Sequence, residues 1–379
     1  MFDARKLDSA IDQAIAERRI VGTVVLVSHK GEPVYRRAAG LADREAGIAM
    51  RPGHIFRLSS LSKPMVSAAV LAMAEQGTLH LDDNVSQWIP EFQPPLPDGT
   101  KPEITVRQLL NHTAGLGYGF LEPDDGPYHR ANVSDGLDQP GLSIHENLQR
   151  IASVPLAYQP GAAWGYSVAH DVLGEVIARA SGGTLPEAVR RFVSMPLGIH
   201  DTGFTVTDPT RLAVPYADGS PEPVRMAGLQ VVKMAYGPGS IRFAPSRTLH
   251  PGSYPSGGCG MVGTALDFAR FLEALRAGGR PILSGPSVEA MTANQTGGLG
   301  PAPGVAFGFG LSVVMDPALT ETPQSAGTFG WGGVYGHTWF VDRRKDLTVV
   351  ALTNTAVEGV SGQFPARVRR AVYADPTLK

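Results

Sequence analysis

The two ends of the chain carry matching elements, and this feature constrains the fold more than any other. Near the start, Leu7, Ile11 and Ala14 recur at helical spacing, and two strands follow, TVVLVSH and PVYRRAAGL, joined by a turn at residues 30–32. Toward the other end there is a second predicted hairpin, HTWFVD with LTVVALTN, and then a short predicted helix, ARVRRAVY. We therefore predict one antiparallel sheet, flanked by helices, to which both ends of the chain contribute.

The middle of the chain has a different character. Its helical patterns lie at residues 65–76, 106–110, 168–180 and 265–275. Long loops rich in glycine and proline lie near residues 115–145 and 205–260, and loops of this length in a compact protein usually line a functional site. The predicted fold class is α+β. We expect residues 1–70 and 262–379 to form the sheet-bearing subdomain and residues 71–261 to form a mostly helical insertion.

Charge and hydropathy exclude several kinds of partner. The formal net charge is -2 and there is no long Lys/Arg cluster, so neither a nucleic acid nor an anionic membrane surface is an expected partner. No apolar run reaches the ~18 residues of a membrane span. The charged N-terminal stretch also lacks the apolar core of a secretory signal. We expect a cytoplasmic protein that acts on small molecules, of an oligomeric state that the sequence does not indicate.

Cysteine and histidine spacing gives no indication of a metal or a cofactor. Cys259 is the only cysteine, so an internal disulfide and a thiolate zinc site are both excluded, and the histidines show no paired metal-binding spacing. Gly258, Gly260 and Gly263 form a G-x-G-x-x-G, but the preceding PGSYPSGG favours a turn over the strand that a dinucleotide site requires. We expect no metal and no cofactor, and we interpret this glycine segment as a loop that closes over a pocket.

A serine and a lysine stand at the start of the most apolar helical pattern. Residues 59–64 are SSLSKP and the run MVSAAVLAMA follows, which predicts a helix buried on every side. Ser60 and Lys63 are three residues apart, so their side chains share one helical face. Burial lowers the pKa of a lysine, and a neutral amine beside a hydroxyl is a base beside a nucleophile. The N–H groups at the helix start, including that of Ser60, are suited to bind an oxyanion.

Two other interpretations remain open at this point. The serines of SSLSKP are also common N-cap residues, in which case Lys63 extends to solvent. Alternatively, Ser167 in GYSVA, with His170 nearby, approximates the G-x-S-x-G nucleophile turn of the α/β-hydrolases. The preceding QPGAAW, however, does not look like the buried strand that this turn requires.

Six segments in a fixed order carry a family pattern: FRLSSLSKPMVSAAVLAMAEQGTLHLDDNVSQWIPEF, ITVRQLLNHTAGL, PGAAWGYSVAHDVLGEVIARASG, SGGCGMVGTALDFARFLEAL, FGFGL and FGWGGVYGHTWFVD. In this order they resemble the class C β-lactamase-like serine hydrolases, and most closely the family VIII carboxylesterases. The resemblance covers nearly the whole chain and implies a β-lactamase/DD-peptidase-like fold. It also implies that Ser60 is the acylated nucleophile, that Lys63 is its base partner and that Tyr166 completes the set. The N–H groups of Ser60 and Val334 are implied to form the oxyanion hole.

Two departures from the β-lactamase pattern bear on the substrate. Val168 stands where the family's Y-x-N motif has asparagine, and Trp331, followed by Gly332 and Gly333, stands where its K-T-G motif has lysine. Both changes favour uncharged esters over β-lactams, and two glycines allow a substrate to approach the backbone. We therefore expect a serine carboxylesterase for short-chain or compact esters. Aromatic residues on the loops are expected to line its pocket, among them Tyr118, Tyr128 and Tyr236.

The resemblance leaves three alternatives for the same serine. An alcohol could replace water as acyl acceptor, which would make the protein an acyltransferase. A penicillin-binding protein of the β-lactamase or DD-peptidase type is the second alternative. The third is a sensor that is acylated or occupied without turnover.

Overall fold

The computed structural model describes residues 3–234 and 237–378. Its strands, in chain order, are β1 (Gly22–His29), β2 (Glu32–Asp43), β3 (Ile48–Ala49), β4 (Phe56–Arg57), β5 (Tyr216–Ala217), β6 (Val224–Arg225), β7 (Gln230–Lys233), β8 (Ser240–Phe243), β9 (Val262–Gly263), β10 (Val305–Phe307), β11 (Ser312–Val314), β12 (Phe329–Gly333), β13 (His337–Asp342) and β14 (Leu347–Thr353). Eight of them form one sheet in the order β10-β11-β12-β13-β14-β1-β2-β3, and the other six form three short pairs.

The helices lie between and beside these strands. They are α1 (Arg5–Ala16), α2 (Ser62–Glu75), α3 (Val106–Leu110), α4 (Pro127–Arg130), α5 (Ile144–Ala152), α6 (Ala169–Ser181), α7 (Leu185–Val189), α8 (Ala265–Arg276), α9 (Gly285–Thr292), α10 (Glu358–Ser361) and α11 (Gln363–Tyr373). Three of them, α2, α6 and α8, are followed within two residues by Gly77, Gly182 and Gly278, which have φ of 69°, 65° and 96°. This left-handed conformation is the one that favours glycine after a helix.

Both ends of the chain meet at the centre of the large sheet. Strand β1 pairs with β14, with Val25 opposite Ala351, and all the ladders of the sheet are antiparallel. Side chains alternate between the two faces, as the period of two in a strand requires. Leu7 of α1 and Phe364 of α11 pack with Val25 on one face. The predicted antiparallel sheet with flanking helices is therefore confirmed.

Helix α2 lies against the opposite face, inside the protein. All residues from Ser62 to Met73 are buried. The apolar side chains from Met65 to Met73 share one hydrophobic core with Val24 and Leu26 of β1, and the helix packs directly against α6, α7 and α9. Many of these side chains are alanine or serine, so neighbouring elements approach the helix closely. The prediction of a helix buried on every side is confirmed, and its N-terminal end is fixed from several directions.

The chain between α2 and β9 contains α3 to α7 and two of the short strand pairs, β5 with β6 and β7 with β8, and this part lies between the two halves of the sheet in sequence. The subdomain boundaries near residues 70 and 262 stay a prediction. Within the described part of the chain, no helix is both long and apolar enough to cross a membrane.

Candidate active site

Ser60 and Lys63 meet at the start of α2. Ser60 lies in a 3-10 turn, Ser59–Leu61, that leads directly into the helix, so both side chains project from consecutive turns. Lys63 Nζ donates to Ser60 Oγ over 3.1 Å and to the carbonyl oxygen of Gly258 over 2.9 Å. Lys63 is 0% exposed and Ser60 is 4% exposed. The lysine therefore does not extend to solvent.

The neighbouring serines hold this turn in place. Ser62 Oγ donates to the carbonyl oxygen of Ser59 over 2.6 Å and accepts from the Met261 N–H over 3.1 Å. Ser59 has φ of 46°, a left-handed conformation that is unusual outside glycine. The residue before α2, Leu61, makes no side-chain cap. The N-cap interpretation of these serines is therefore wrong, because the Ser59 and Ser62 hydroxyls accept from the N–H groups of Tyr335 and Met261 rather than from the free N–H groups of the helix, and the Ser60 hydroxyl contacts Lys63.

Tyr166 and Trp331 complete a compact polar group around Ser60. Tyr166 lies in the loop just before α6, and its hydroxyl donates to Ser60 Oγ over 2.7 Å. The indole Nε1–H of Trp331, on β12, donates to Tyr166 Oη over 3.0 Å. The Nζ of Lys63 lies 4.7 Å from the centre of the Tyr166 ring. The Trp331 N–H thus faces the phenol oxygen of Tyr166, and the Lys63 cation faces its ring.

The charge state of Lys63 differs from the prediction. Burial lowers the pKa of Lys63, but attraction to Tyr166, Cys259 and Asp171 outweighs burial and holds this pKa above its ordinary value. The predicted neutral amine is therefore wrong, because the sequence argument counted burial and left out the acidic groups that the fold brings near. As an ammonium, Lys63 has no lone pair to accept a proton. The phenol oxygen of Tyr166 is the remaining basic atom that contacts Ser60.

A cavity of about 370 Å³ opens beside Ser60. Trp331, Gly332 and Val334 line it, as predicted for the edge of β12. Its other walls include the apolar residues Phe120, Leu121, Met234, Trp339, Phe340 and Val360 and the polar residues Gln324, Thr328 and Arg369. Sequence reasoning missed Met234, Val360 and Arg369, since no motif marks them.

The two glycines after Trp331 serve close packing. A Cβ at Gly332 would lie 2.3 Å from Val360 Cγ2, and one at Gly333 would lie 2.6 Å from the carbonyl oxygen of Leu58. A larger residue at Gly332 would therefore displace the cavity wall at Val360, and a larger residue at Gly333 would displace the turn that carries Ser60. Gly333 itself lies against that turn and is not among the cavity-lining residues.

Two of the predicted tyrosines, Tyr118 and Tyr128, do not form the cavity wall. Tyr118 is buried behind it, where its ring stacks on Phe120 with 4.6 Å between centroids and lies 5.3 Å from Lys63 Nζ. Tyr128 is also buried, and its hydroxyl accepts from the Gly117 N–H over 2.8 Å. Neither is among the cavity-lining residues. Tyr236 lies outside the described residues.

The competing motifs take structural positions. Ser167 is buried, with its Oγ 3.1 Å from His112 Nδ1, and within residues 153–168 no strand precedes it. The elbow geometry of the α/β-hydrolases is therefore not present here. The glycine segment that begins at Gly258 lies behind Lys63 rather than over the cavity, so its interpretation as a closing loop is wrong. In the described residues, no group of metal-binding side chains comes together.

Comparison with known proteins agrees with this architecture. The beta-lactamase family model matches residues 7–374. The chain belongs to the beta-lactamase family. Within this family it is 50% identical over 375 residues to Esterase EstB of Burkholderia gladioli, covering 98% of this chain and 95% of that protein.

Two solved structures are similar to this chain over nearly its whole length. The structure described as EstCE1, a hydrolase with promiscuous acyltransferase activity, has a TM-score of 0.92 and 44% identity, with 98% of each chain covered. Simvastatin synthase (LovD) from Aspergillus terreus has a TM-score of 0.75 at 21% identity and covers 98% of each chain. The second likeness supports the fold alone. Fold class and membership in a serine hydrolase family are thereby established.

Proposed function

We propose that the protein is a serine carboxylesterase that hydrolyses short-chain or compact esters through an acyl-enzyme on Ser60. The observation that carries the proposal is the contact of Ser60 Oγ with both Tyr166 Oη, at 2.7 Å, and Lys63 Nζ, at 3.1 Å, beside the cavity. The identity to Esterase EstB supports an ester as substrate. Assignment to the family VIII carboxylesterases is part of this proposal. A cytoplasmic location and the lack of a nucleic-acid partner stay predictions.

The acylation step uses Tyr166 as the base. In the reactive form the phenol oxygen carries no proton, and the Lys63 ammonium and the Trp331 N–H stabilise its negative charge. As Ser60 Oγ attacks the carbonyl carbon of the ester, its proton passes to Tyr166 Oη. The bond between that carbon and the alcohol oxygen then breaks, and the phenol returns the proton to the leaving alcohol.

Deacylation repeats the same transfers with water. Water attacks the acyl carbon and gives a proton to Tyr166 Oη, the bond to Ser60 Oγ breaks, and the proton returns to Oγ as the carboxylic acid leaves. The N–H groups of Ser60 and Val334 are the proposed donors to the oxyanion formed in both steps. Val334 lines the cavity, which supports this assignment.

The cavity supports a substrate without a large charged group near the nucleophile. The side chains of Phe120, Trp331 and Met234 contribute apolar surface to the cavity beside Ser60. The family resemblance implies that Trp331 stands where the K-T-G motif has the lysine that would pair with a substrate carboxylate. An ester with a small acyl group fits this environment without burying an unpaired charge. We expect activity to fall as the acyl chain outgrows the cavity.

The proposal is tested by covalent labelling and a substrate panel. A fluorophosphonate should add once to the wild-type protein, and peptide mapping should place the adduct on Ser60. Steady-state rates on p-nitrophenyl esters of increasing acyl length should be highest for the acetate to hexanoate members. An adduct on another serine, or stoichiometric acylation without turnover on every ester, would contradict the proposal.

Trp331 gives a prediction specific to this site. Replacing Trp331 with phenylalanine keeps an aromatic wall but removes the N–H that stabilises the phenol oxygen of Tyr166, so kcat on p-nitrophenyl acetate should fall about 10-fold to 100-fold. Trp339→Phe is a matched control. Trp339 also lines the cavity, but its Nε1 has no hydrogen-bond partner in the described structure. Equal losses in kcat for the two variants would show that the indole N–H of Trp331 has no special role.

A further inference from the structure

Lys63 is connected to a buried carboxylate through one peptide group. Lys63 Nζ donates to the carbonyl oxygen of Gly258, and the N–H of the same peptide unit, on Cys259, donates to Ser256 Oγ over 2.9 Å. Ser256 Oγ in turn donates to Asp171 Oδ1 over 2.6 Å. The chain of contacts from the lysine to the carboxylate is therefore continuous, and every link is a hydrogen bond of ordinary length.

Asp171 sits in a closed environment of donors. It is 1% exposed, and besides Ser256 it accepts from the Gly258 N–H over 2.9 Å and from the Tyr254 hydroxyl over 3.0 Å. Within the described residues it forms no salt bridge with lysine, arginine or histidine. Three hydrogen-bond donors thus satisfy the oxygens of this buried carboxyl group. Its negative charge therefore acts on the nearby buried ammonium of Lys63.

Gly258 explains how the two charges come so close. A Cβ at this position would lie 3.3 Å from Asp171 Oδ1, 3.4 Å from Lys63 Nζ and 3.0 Å from Tyr118 Oη. The carboxylate and the ammonium thus approach one glycine together, and a side chain there would crowd both. The glycine motif noted in the sequence accordingly belongs to the support of Lys63 rather than to a nucleotide site.

We propose that Asp171, acting through Ser256 and the peptide group between Gly258 and Cys259, is a positioning residue that orients the Lys63 side chain. Asp171 does not touch Ser60 or the cavity beside it, so its effect on the reaction passes through Lys63. The inference rests on the proposed esterase function. It adds Asp171 as a fourth group to Ser60, Lys63 and Tyr166, which contact one another at the nucleophile.

The physical reason is polarisation along the chain of hydrogen bonds. Donation from Ser256 to the carboxylate makes Ser256 Oγ a better acceptor for the Cys259 N–H, and that bond makes the Gly258 carbonyl oxygen a better acceptor for Lys63. Loss of the Asp171 charge removes one of the attractions that raise the pKa of Lys63. The ammonium should then lose its proton at a lower pH, which moves the alkaline limb of the rate profile toward neutral pH.

Other titratable groups face this pair, and they constrain the experiment. They are Tyr118, Tyr166, Cys259, Tyr254, His112, His170 and Asp135. The pKa values of both histidines are held well below their usual range by burial, so these two stay neutral. Burial raises the pKa of Asp135 to about 7. All these groups are present in every variant below. A difference between the pH profiles of two variants therefore reports on the substituted residue.

The experiment compares Asp171→Asn and Ser256→Ala with the wild-type protein. The pH profile of kcat/KM on p-nitrophenyl butyrate should show the alkaline limb about one pH unit lower in Asp171→Asn, with a smaller shift in Ser256→Ala. We expect kcat to fall about 10-fold to 100-fold in Asp171→Asn and KM to change less than about threefold, because the cavity is unaltered. The same fluorophosphonate adduct on Ser60 should still form, only more slowly.

A matched control separates this role from simple loss of stability. Asp342 is also fully buried and accepts from the N–H groups of Ser325 and Arg344 and from the Tyr373 hydroxyl, at the end of β13 away from Ser60. Asp342→Asn should lower the melting temperature without moving the alkaline limb. The proposal is overturned if a folded Asp171→Asn shifts the limb no more than Asp342→Asn does. If Asp171→Asn does not fold, an unshifted limb in Ser256→Ala overturns it.

These outcomes are distinct from failure of the proposed function. If wild-type Ser60 takes no fluorophosphonate and the protein hydrolyses no ester, the esterase proposal itself fails. If Ser60 is labelled normally and the limb of every variant stays in place, only the role of Asp171 fails.

Discussion

The Ser60→Ala variant should lose activity on p-nitrophenyl butyrate by about 10⁴-fold or more in kcat. Ser60 Oγ is the only atom of the central group that can form the acyl bond, because Lys63 is held as an ammonium and the hydroxyl of Tyr166 is directed at Ser60 itself. Removing it leaves the proposed oxyanion donors and the cavity but no nucleophile. Initial rates at saturating substrate, together with intact mass after fluorophosphonate treatment, measure the loss.

Ser167→Ala is the natural comparison, since Ser167 belongs to the rival G-x-S-x-G motif. Its hydroxyl contacts His112 inside the protein, so this variant should keep the adduct on Ser60 and turn over esters within about threefold of wild type. The assignment of Ser60 is wrong if Ser60→Ala retains wild-type rates while Ser167→Ala loses them. Circular dichroism spectra of both variants exclude unfolding as the cause of either result.

The features that could be predicted from sequence are those set by short-range spacing. The two terminal hairpins and their helices followed from periods of two and 3.6, and the proximity of Ser60 to Lys63 followed from one helical turn. These relations depend only on the local helix or strand geometry and not on where the rest of the chain folds. The α+β class and the buried helix α2 were predictable for the same reason.

The contacts that decide the chemistry arise between distant parts of the chain. Tyr166 lies 106 residues from Ser60, and only the family resemblance, not its own spacing, indicated it. The charge state of Lys63 was predicted wrongly because Tyr166, Cys259 and Asp171, which tertiary packing brings near the lysine, hold its pKa above the ordinary value. A periodic pattern along the sequence cannot indicate such contacts, because tertiary packing sets the distance between Lys63 and the groups that surround it.

The cavity wall shows the same limit for apolar side chains. Tyr118 and Phe120 are both buried aromatics from one loop and stack on each other, yet only Phe120 lines the cavity. Composition cannot distinguish the two, because the choice depends on which ring lies nearer Lys63 and which nearer open space. Arg369, from the last helix, lines the cavity without any signal in the sequence around it.

Tyr166→Phe should reduce kcat on short p-nitrophenyl esters by about 10²-fold to 10⁴-fold, the range that general base catalysis contributes. The ring, its contact with Lys63 and the cavity shape are retained, so the loss reports on the hydroxyl that contacts Ser60 at 2.7 Å. KM should change little, because the phenol oxygen acts on the proton of Ser60 rather than on the bound ester. Stopped-flow measurement of p-nitrophenol release tests acylation directly, and the burst phase should slow along with turnover.

Tyr118→Phe is the matched control for this prediction, since its ring lies almost as near to Lys63 Nζ as that of Tyr166, 5.3 Å against 4.7 Å. The Tyr118 hydroxyl, however, faces Cys259 Sγ at 4.0 Å and makes no contact with Ser60. If the tyrosines act only by surrounding the ammonium with aromatic rings, both variants should behave alike and stay near wild-type rates. If a phenol oxygen is the base, only Tyr166→Phe loses acylation, and that difference distinguishes a proton acceptor from a packing residue at the same lysine.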